Sequence, residues 1–295
     1  MRYDKDHINI KYSQNEIANK KLIERLVNQS NITKDDLVYD IGSGAGIISE
    51  ALLNKGAVVT AIEKDPKLCY ECKARFLKHD RFEVYLDDFL EWEFPLGQRF
   101  KVFSNIPFFH TAEIVNKLLF GNALPEDCYL VIQKEAAEKY SGVHRDTLTS
   151  LLIKPLFWVD IIYYFRRTDF RPVPSVDVVL LQFEKRQCQL IPAQYYGLYK
   201  DFVVFCREGA SQTVKKAFGE LFTYSQIKQI SKLLGIEYQY NPANLNFAQY
   251  LSVFQLYFDH IIKNKLLIRG AEERLHRQQI HLTKIHRTRK RLEIR

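Results

Sequence analysis

Long apolar runs are missing from this chain: nowhere do the roughly 18 consecutive apolar residues needed to span a bilayer occur. Nor does the N-terminal stretch MRYDKDHINIKYSQN hold a hydrophobic segment or a small-residue cleavage site. These absences predict a soluble, cytoplasmic protein with no membrane partner. Cysteine is scarce, and five residues, an odd number in a chain this long, do not form a disulfide framework. A reducing compartment fits. Cys69 and Cys72 form a lone C-x-x-C, without the second Cys or His pair that zinc needs, and i, i+3 spacing is ordinary on a helix, so no metal is expected there. Internal repeats are absent, and so is low-complexity sequence apart from a basic tail.

What is present is enough for a large core: 295 residues, 46% hydrophobic and 13% aromatic, which predicts two domains. The net charge of +8 is concentrated. Residues 263–295 hold eleven of the 43 Lys and Arg and three of the 35 acids, so the remainder of the chain is balanced. With His276, His281 and His286 interleaved, such a block suits counterion release on a polyphosphate; a merely solubilising terminus is the alternative.

Apolar residues at Ile17, Leu22, Ile23, Leu26 and Val27 predict an amphipathic helix over Glu16–Val27. Strands are expected at Leu37–Ile41, Val58–Ile62, Phe82–Leu86, Phe100–Phe103 and Cys128–Gln133, with helices at Ile47–Asn54, Pro66–Leu77, Ala112–Leu119 and Lys134–Tyr140 between and after them. That alternation implies parallel strands joined by right-handed crossovers. Phe157–Phe165 and Val178–Phe183, separated by the loop FRPVPS, look like a closing antiparallel pair. From about Gln187 helical periodicity dominates: Gln194–Cys206, Ser211–Phe218, Ser225–Leu234 and Asn246–His260. The expected organisation is an α/β catalytic domain with a Rossmann-like sheet over 1–185, a smaller all-α domain over 186–262, and a flexible tail over 263–295.

The stretch DIGSGAG runs from a strand into a glycine turn, where Gly42 and Gly44 let the backbone approach a ligand closely. Glu63 follows Gly42 by 21 residues, at the end of the next strand, the place from which a carboxylate accepts both ribose hydroxyls. A nicotinamide dinucleotide enzyme uses the same device. Here, however, the spacing is G-x-G-x-G, and Asp40 before the first glycine suits a small cationic nucleoside such as S-adenosylmethionine better than a pyrophosphate. Asp88, with Asp87 as its competitor, follows the third strand and can accept the adenine amino group. Three acids at the carboxyl ends of three successive strands point to a nucleoside cleft.

SNIPFF (Ser104–Phe109) ends the fourth strand beside that cleft. An exocyclic amine is a poor nucleophile while its lone pair is delocalised. The Asn105 side chain and the Ile106 carbonyl before Pro107 can each accept one N–H and turn the lone pair toward a methyl donor, and proline fixes that carbonyl without adding a donor. Phe108 can stack on a base pulled from its helix, and Phe170 is expected on the opposite face.

The order DIGSGAG, AIEKD, DDFL, SNIPF, LVIQKEAAEKY and FRPVPSVDVVLLQF resembles the rRNA adenine N6-methyltransferase family, which unites the Erm macrolide-resistance methyltransferases with the KsgA-type small-subunit dimethyltransferases. The resemblance covers roughly residues 11–262. It implies S-adenosylmethionine-dependent methylation of an adenine N6 in ribosomal RNA. Gln14 and Asn15 would close over the cofactor, Gly42 and Gly44 line it, Glu63 hold the ribose and Asp88 the adenine, while Asn105 and Phe108 grip the base. The isoleucine of N-I-P and the arginine-rich tail favour the Erm branch, hence 23S rRNA, met before ribosome assembly is complete, and resistance to macrolides, lincosamides and streptogramins. A monomer is expected. Three features depart from the family pattern: Glu16 stands where an aromatic is usual, Phe108 where tyrosine is commoner, and Phe109-His-Thr-Ala112 replaces the usual loop. A guanine target, a 16S rRNA target and a non-catalytic RNA-binding role are the alternatives.

Overall fold

The computed structural model describes residues 15–207, 213–260 and 268–281. The chain divides into two compact units with the boundary between Gln189 and Leu190, four residues beyond the one expected from sequence.

In the first unit, strands β1 (Glu16–Ile17), β2 (Leu37–Ile41), β3 (Val58–Glu63), β4 (Phe82–Leu86), β5 (Lys101–Asn105), β6 (Asp127–Gln133), β7 (Phe157–Tyr164), β8 (Phe170–Arg171) and β9 (Val178–Lys185) alternate with helices α1 (Lys20–Gln29), α2 (Ile47–Asn54), α3 (Pro66–Arg75), α4 (Thr111–Phe120), α5 (Lys134–Ser141) and α6 (Leu148–Ile153). Seven strands form one sheet in the order β4-β3-β2-β5-β6-β9-β7. The first five are parallel, with Leu37 opposite Val58 and Val102 opposite Cys128; β9 runs antiparallel between β6 and β7. β2, β3 and β6 are buried along almost their whole length, as strands covered on both faces must be, which is why they read as continuous apolar runs. Connections from β2 proceed to β3 and β4 on one side and then jump to β5 and β6 on the other, so the strand order reverses between β2 and β5.

α1 turns Leu22, Ile23, Leu26 and Val27 into the same core as Ile48, Ala51 and Leu52 of α2. Each such side chain contributes about 1.5–3 kcal/mol by burial. The helix begins at Lys20, and not at Glu16 as its periodicity predicts, because the Asn19 side chain accepts from Leu22 N at 3.2 Å and caps it. Glu16 and Ile17 instead pair with Arg171 and Phe170 as a separate two-stranded ribbon. α6 was not expected either; Thr147 and Ser150 close a reciprocal capping box at its start.

The second unit is helical: α7 (Ala193–Arg207), α8 (Val214–Gly219), α9 (Tyr224–Leu234), α10 (Phe247–His260) and α11 (Ala271–His281). Its core is aromatic, with Phe202 5.2 Å from Tyr257 and 5.5 Å from Phe254 between ring centroids. The start of α11 is held by α7, where Asp201 accepts from Gly270 N at 2.8 Å and Glu272 N at 3.0 Å. Part of the segment expected to be a flexible tail is therefore a packed helix, with Ile268 and Ala271 fully buried. The rest of that segment, 263–267 and 282–295, and the start of the helix expected at Ser211 lie outside the described residues.

Candidate active site

The reversal point between β2 and β5 opens a crevice at the carboxyl ends of the strands, where open parallel sheets bind ligands. β2 and β5 register only at Val38–Lys101 and Tyr39–Val102. Beyond that, Ile41 N donates to Ser104 Oγ at 2.7 Å, so a side chain replaces the ladder as the strands part. The crevice is lined by Asp40 of β2, by Gly42, Ser43, Gly44 and Ala45 of the turn, and by Asn105 of β5, with Glu16 and Ile17 of β1 closing it.

The turn is built for close approach. Gly42 N donates to Ile62 O at 2.7 Å and Gly44 N to Glu63 Oε2 at 2.8 Å, folding the loop over the end of β3. Gly46 starts α2 at φ +77°, and a Cβ there would lie 2.7 Å from the Phe76 ring, so only glycine fits. Asp40 is 1% exposed; its Oδ2 accepts from Ser49 Oγ at 2.7 Å while Oδ1, also buried, has no partner among the described residues. Burial pushes this carboxyl up to about 7, with the Ser49 bond opposing and the Glu63 charge adding to the rise. A buried acceptor without a donor is costly. A cationic ligand would satisfy it.

Of the residues expected in the site, Asp40, Gly42, Gly44 and Asn105 come together. Glu63 stands behind the turn, 5% exposed, each oxygen already taking one backbone N–H, from Gly44 and Asp65. Its remaining lone pairs are what a ribose diol would use. Asp88 lies outside this crevice: Lys64 pairs with it and holds it below the ordinary carboxylate value. Asn15 enters through its backbone, accepting from Asn105 Nδ2 at 2.9 Å. Gln14 is outside the described residues. Asn105 thus spends a donor on Asn15 and keeps Oδ1 as an acceptor, and the Ile106 carbonyl receives no hydrogen bond among the described residues. Ile106 is buried, Pro107 leads into a short 3-10 turn, and Phe108 is half-buried against the core.

The expectation for Phe170 is corrected. Its ring is 0% exposed, 5.3 Å from Phe165 in the core, and opposes Ile17 across the β1–β8 ribbon, so it cannot stack on a base there. The ring beside Phe108 that solvent reaches is Phe109, 67% exposed. Sequence reasoning missed Ile17, Ser49 and Ser104. Ser104 had a visible signal, a polar residue ending a buried strand; Ser49, in the first turn of α2, had none. Cys69 and Cys72 are buried on α3, and the Cys72 thiol is pushed up to about 12 by burial, with Ser43 donating to its sulfur.

A mostly parallel sheet with an acidic, glycine-lined crevice at its reversal point is the architecture of Rossmann-like nucleoside-binding enzymes, and the comparisons with known proteins make the class a methyltransferase. The ribosomal RNA adenine dimethylase family matches residues 5–259. The chain is 32% identical to an rRNA adenine N-6-methyltransferase from Staphylococcus aureus, over 84% of this chain and 97% of that protein, and 29% identical to one from Escherichia coli, over 84% and 96%. Among solved structures, the 23S rRNA methyltransferase ErmE superposes with a TM-score of 0.76 at 25% identity, over 83% of this chain and 100% of that one. A dimethyladenosine transferase from Plasmodium falciparum shares the fold, with a TM-score of 0.66 at 20% identity over 82% and 97%. The chain belongs to the ribosomal RNA adenine dimethylase family, and it is an enzyme.

Proposed function

We propose that this protein methylates the N6 of an adenine in 23S rRNA, using S-adenosylmethionine, and thereby confers resistance to macrolides, lincosamides and streptogramins. The observation that carries the chemistry is the pair of acceptors beside the Asp40 crevice: Asn105 Oδ1 and the Ile106 carbonyl. The likeness to ErmE over that protein's full length supports the choice of 23S rRNA.

Bound S-adenosylmethionine supplies an electrophilic methyl on a cationic sulfur. Asp40 fits its charge: the Oδ1 left without a partner among the described residues would accept from the α-ammonium, and Glu63 would accept from the ribose. Asp88, paired with Lys64, would hold the adenine amino group of the cofactor. At the target, Asn105 and Ile106 each accept one N–H of the N6 amine, which localises the lone pair on nitrogen and aims it along one direction. Transfer would form the N–C bond as the donor's S–C bond breaks and leaves a neutral thioether, and the proton of the methylated ammonium would pass to water without a dedicated base. Phe108 stacks on the flipped base. The protein acts in the cytoplasm as a monomer on rRNA not yet fully assembled.

The test is transfer of labelled methyl to protein-free 23S and 16S rRNA in parallel, with mass mapping of the modified nucleotide. Label on a 23S adenine is expected. Label on 16S rRNA or on guanine would move the substrate to the alternatives, and none on either would favour a binding role. In the same assay Asn105→Ala should lower kcat by about 10²-fold or more while cofactor affinity stays within a few-fold.

A further inference from the structure

In the first unit, Asn19, Lys21 and Arg25 of the α1 region line a groove of about 440 Å³ together with Tyr163, Arg166 and Asp169. Three cations meet one carboxylate there, and that carboxylate is already engaged: Asp169 accepts from Asn19 Nδ2 at 3.0 Å and from Arg166 N at 2.9 Å. The neighbouring cations are paired, Lys20 with Glu50 and Arg167 with Asp177. Among the described residues no ion pair holds Lys21, Arg25 or Arg166.

The placement runs against local preference. Lys21 and Arg25 are like charges four residues apart on one helix face, and Lys21 stands in the first turn, at the positive helix end, where there is no acid. Arg25 is nonetheless held at the groove, its guanidinium 5.6 Å from the Tyr163 ring centre and bonded to the Tyr163 hydroxyl at 3.4 Å. Positive charge concentrated and oriented without a partner is relieved by an anion, and local rules are most often broken at functional sites.

We propose that this groove binds the phosphodiester backbone of the substrate RNA beside the target adenine. Arginine forks match non-bridging phosphate oxygens, and lysine adds a point charge. Only Ile17 and Ala18 separate Glu16, in the wall of the active-site crevice, from Asn19 in the groove, so one strand can occupy both. This inference rests on the RNA methyltransferase reading above.

The experiment measures affinity for a protein-free 23S rRNA fragment across a potassium chloride series. It compares the wild type, the single variants Lys21→Gln, Arg25→Gln and Arg166→Gln, their triple combination, and Arg99→Gln as an exposed control elsewhere on the unit. Each phosphate contact contributes roughly 0.7–0.9 to the slope of log affinity against log salt. The triple variant should therefore lose about two units of slope, and each single variant several-fold in affinity near 0.1 M salt, with KM for RNA raised, kcat retained and S-adenosylmethionine binding unchanged. Arg99→Gln should change none of these. An unaltered slope in the variants, while the wild type methylates RNA, would overturn the groove alone. Inorganic phosphate binding to the groove without any change in RNA slope would do the same. A wild type that neither binds nor methylates RNA would sink both readings. Because the three side chains are exposed, the single variants remain informative if the triple variant does not fold.

Discussion

The two ends of the central sheet hold buried charge in opposite ways. At the amino ends of β5 and β6, Lys101 donates to Asn31 O at 2.7 Å and Asp36 at 2.9 Å, and lies 3.8 Å from Asp127. Asp127 accepts in turn from Asn31 and Gln182, and Tyr129 takes a second hydrogen from Gln182. Asp36 stays below the ordinary carboxylate value even though burial opposes ionisation, because bonds from Lys101 and Thr33 outweigh it. At the carboxyl ends, Asp40 is more deeply buried, 1% exposed against 6% for Asp127, and keeps one oxygen without a donor among the described residues. Among the described residues, charge at one end is matched within the chain, and at the other one carboxyl oxygen has no donor. Burial alone does not tell these acids apart; completeness of the hydrogen-bonding does.

The largest test of this contrast is Lys101→Met. It leaves Asp36 and Asp127 without their cation, and urea denaturation should show a loss of about 3–5 kcal/mol, with cofactor affinity unchanged in the remaining folded protein. Adding Asp127→Asn should restore part of that loss.

Asp40→Asn should behave in the opposite sense. The Asp40 carboxyl protonates near 7 when folded, against 3.8 ordinarily. The folded state therefore holds more protons between those values, and this contribution to stability is fully present below about 4 and lost as pH rises through about 7. The wild type minus variant difference should shift by on the order of 2–4 kcal/mol between pH 4 and pH 8, favouring the variant at high pH. S-adenosylmethionine affinity of the wild type should rise through pH 7, and the variant should bind at least tenfold more weakly.

The smallest effect is expected at the exposed end of the same edge. Lys64→Gln removes a partly exposed ion pair and should change stability by less than about 1 kcal/mol. By freeing Asp88 it should tighten cofactor binding a few-fold, measured by calorimetry. Weaker binding would exclude Asp88 as the adenine acceptor.

The central strands were legible because two-sided burial writes itself as unbroken apolar runs, and the glycine turn because Gly42, Gly44 and Gly46 each need positive φ. β1 was not, since two residues have no period and Ile17 fits a helical stripe equally well. Phe170 was misplaced because aromatic type says nothing about which side of a ribbon a ring faces; Ile17 and Phe165 decide that from elsewhere in the chain. α11 was hidden within a block of charge, where Glu273 and Arg277 pair along the helix but the anchoring Asp201 lies some seventy residues away. The readings that succeeded rest on local backbone demands, and those that failed needed a distant partner.

The grip of Asp201 on the start of α11 bears on how the protein is shortened in the laboratory. A fragment ending at 259, where the family match stops, deprives Asp201 of both its N–H donors and strips Ile268 and Ala271 from the second unit. Its failure on RNA would then reflect damaged folding and be credited to the missing arginines. Cutting after His281 removes six Lys and Arg and keeps the clasp, so that fragment, and not the shorter one, is the fair comparison.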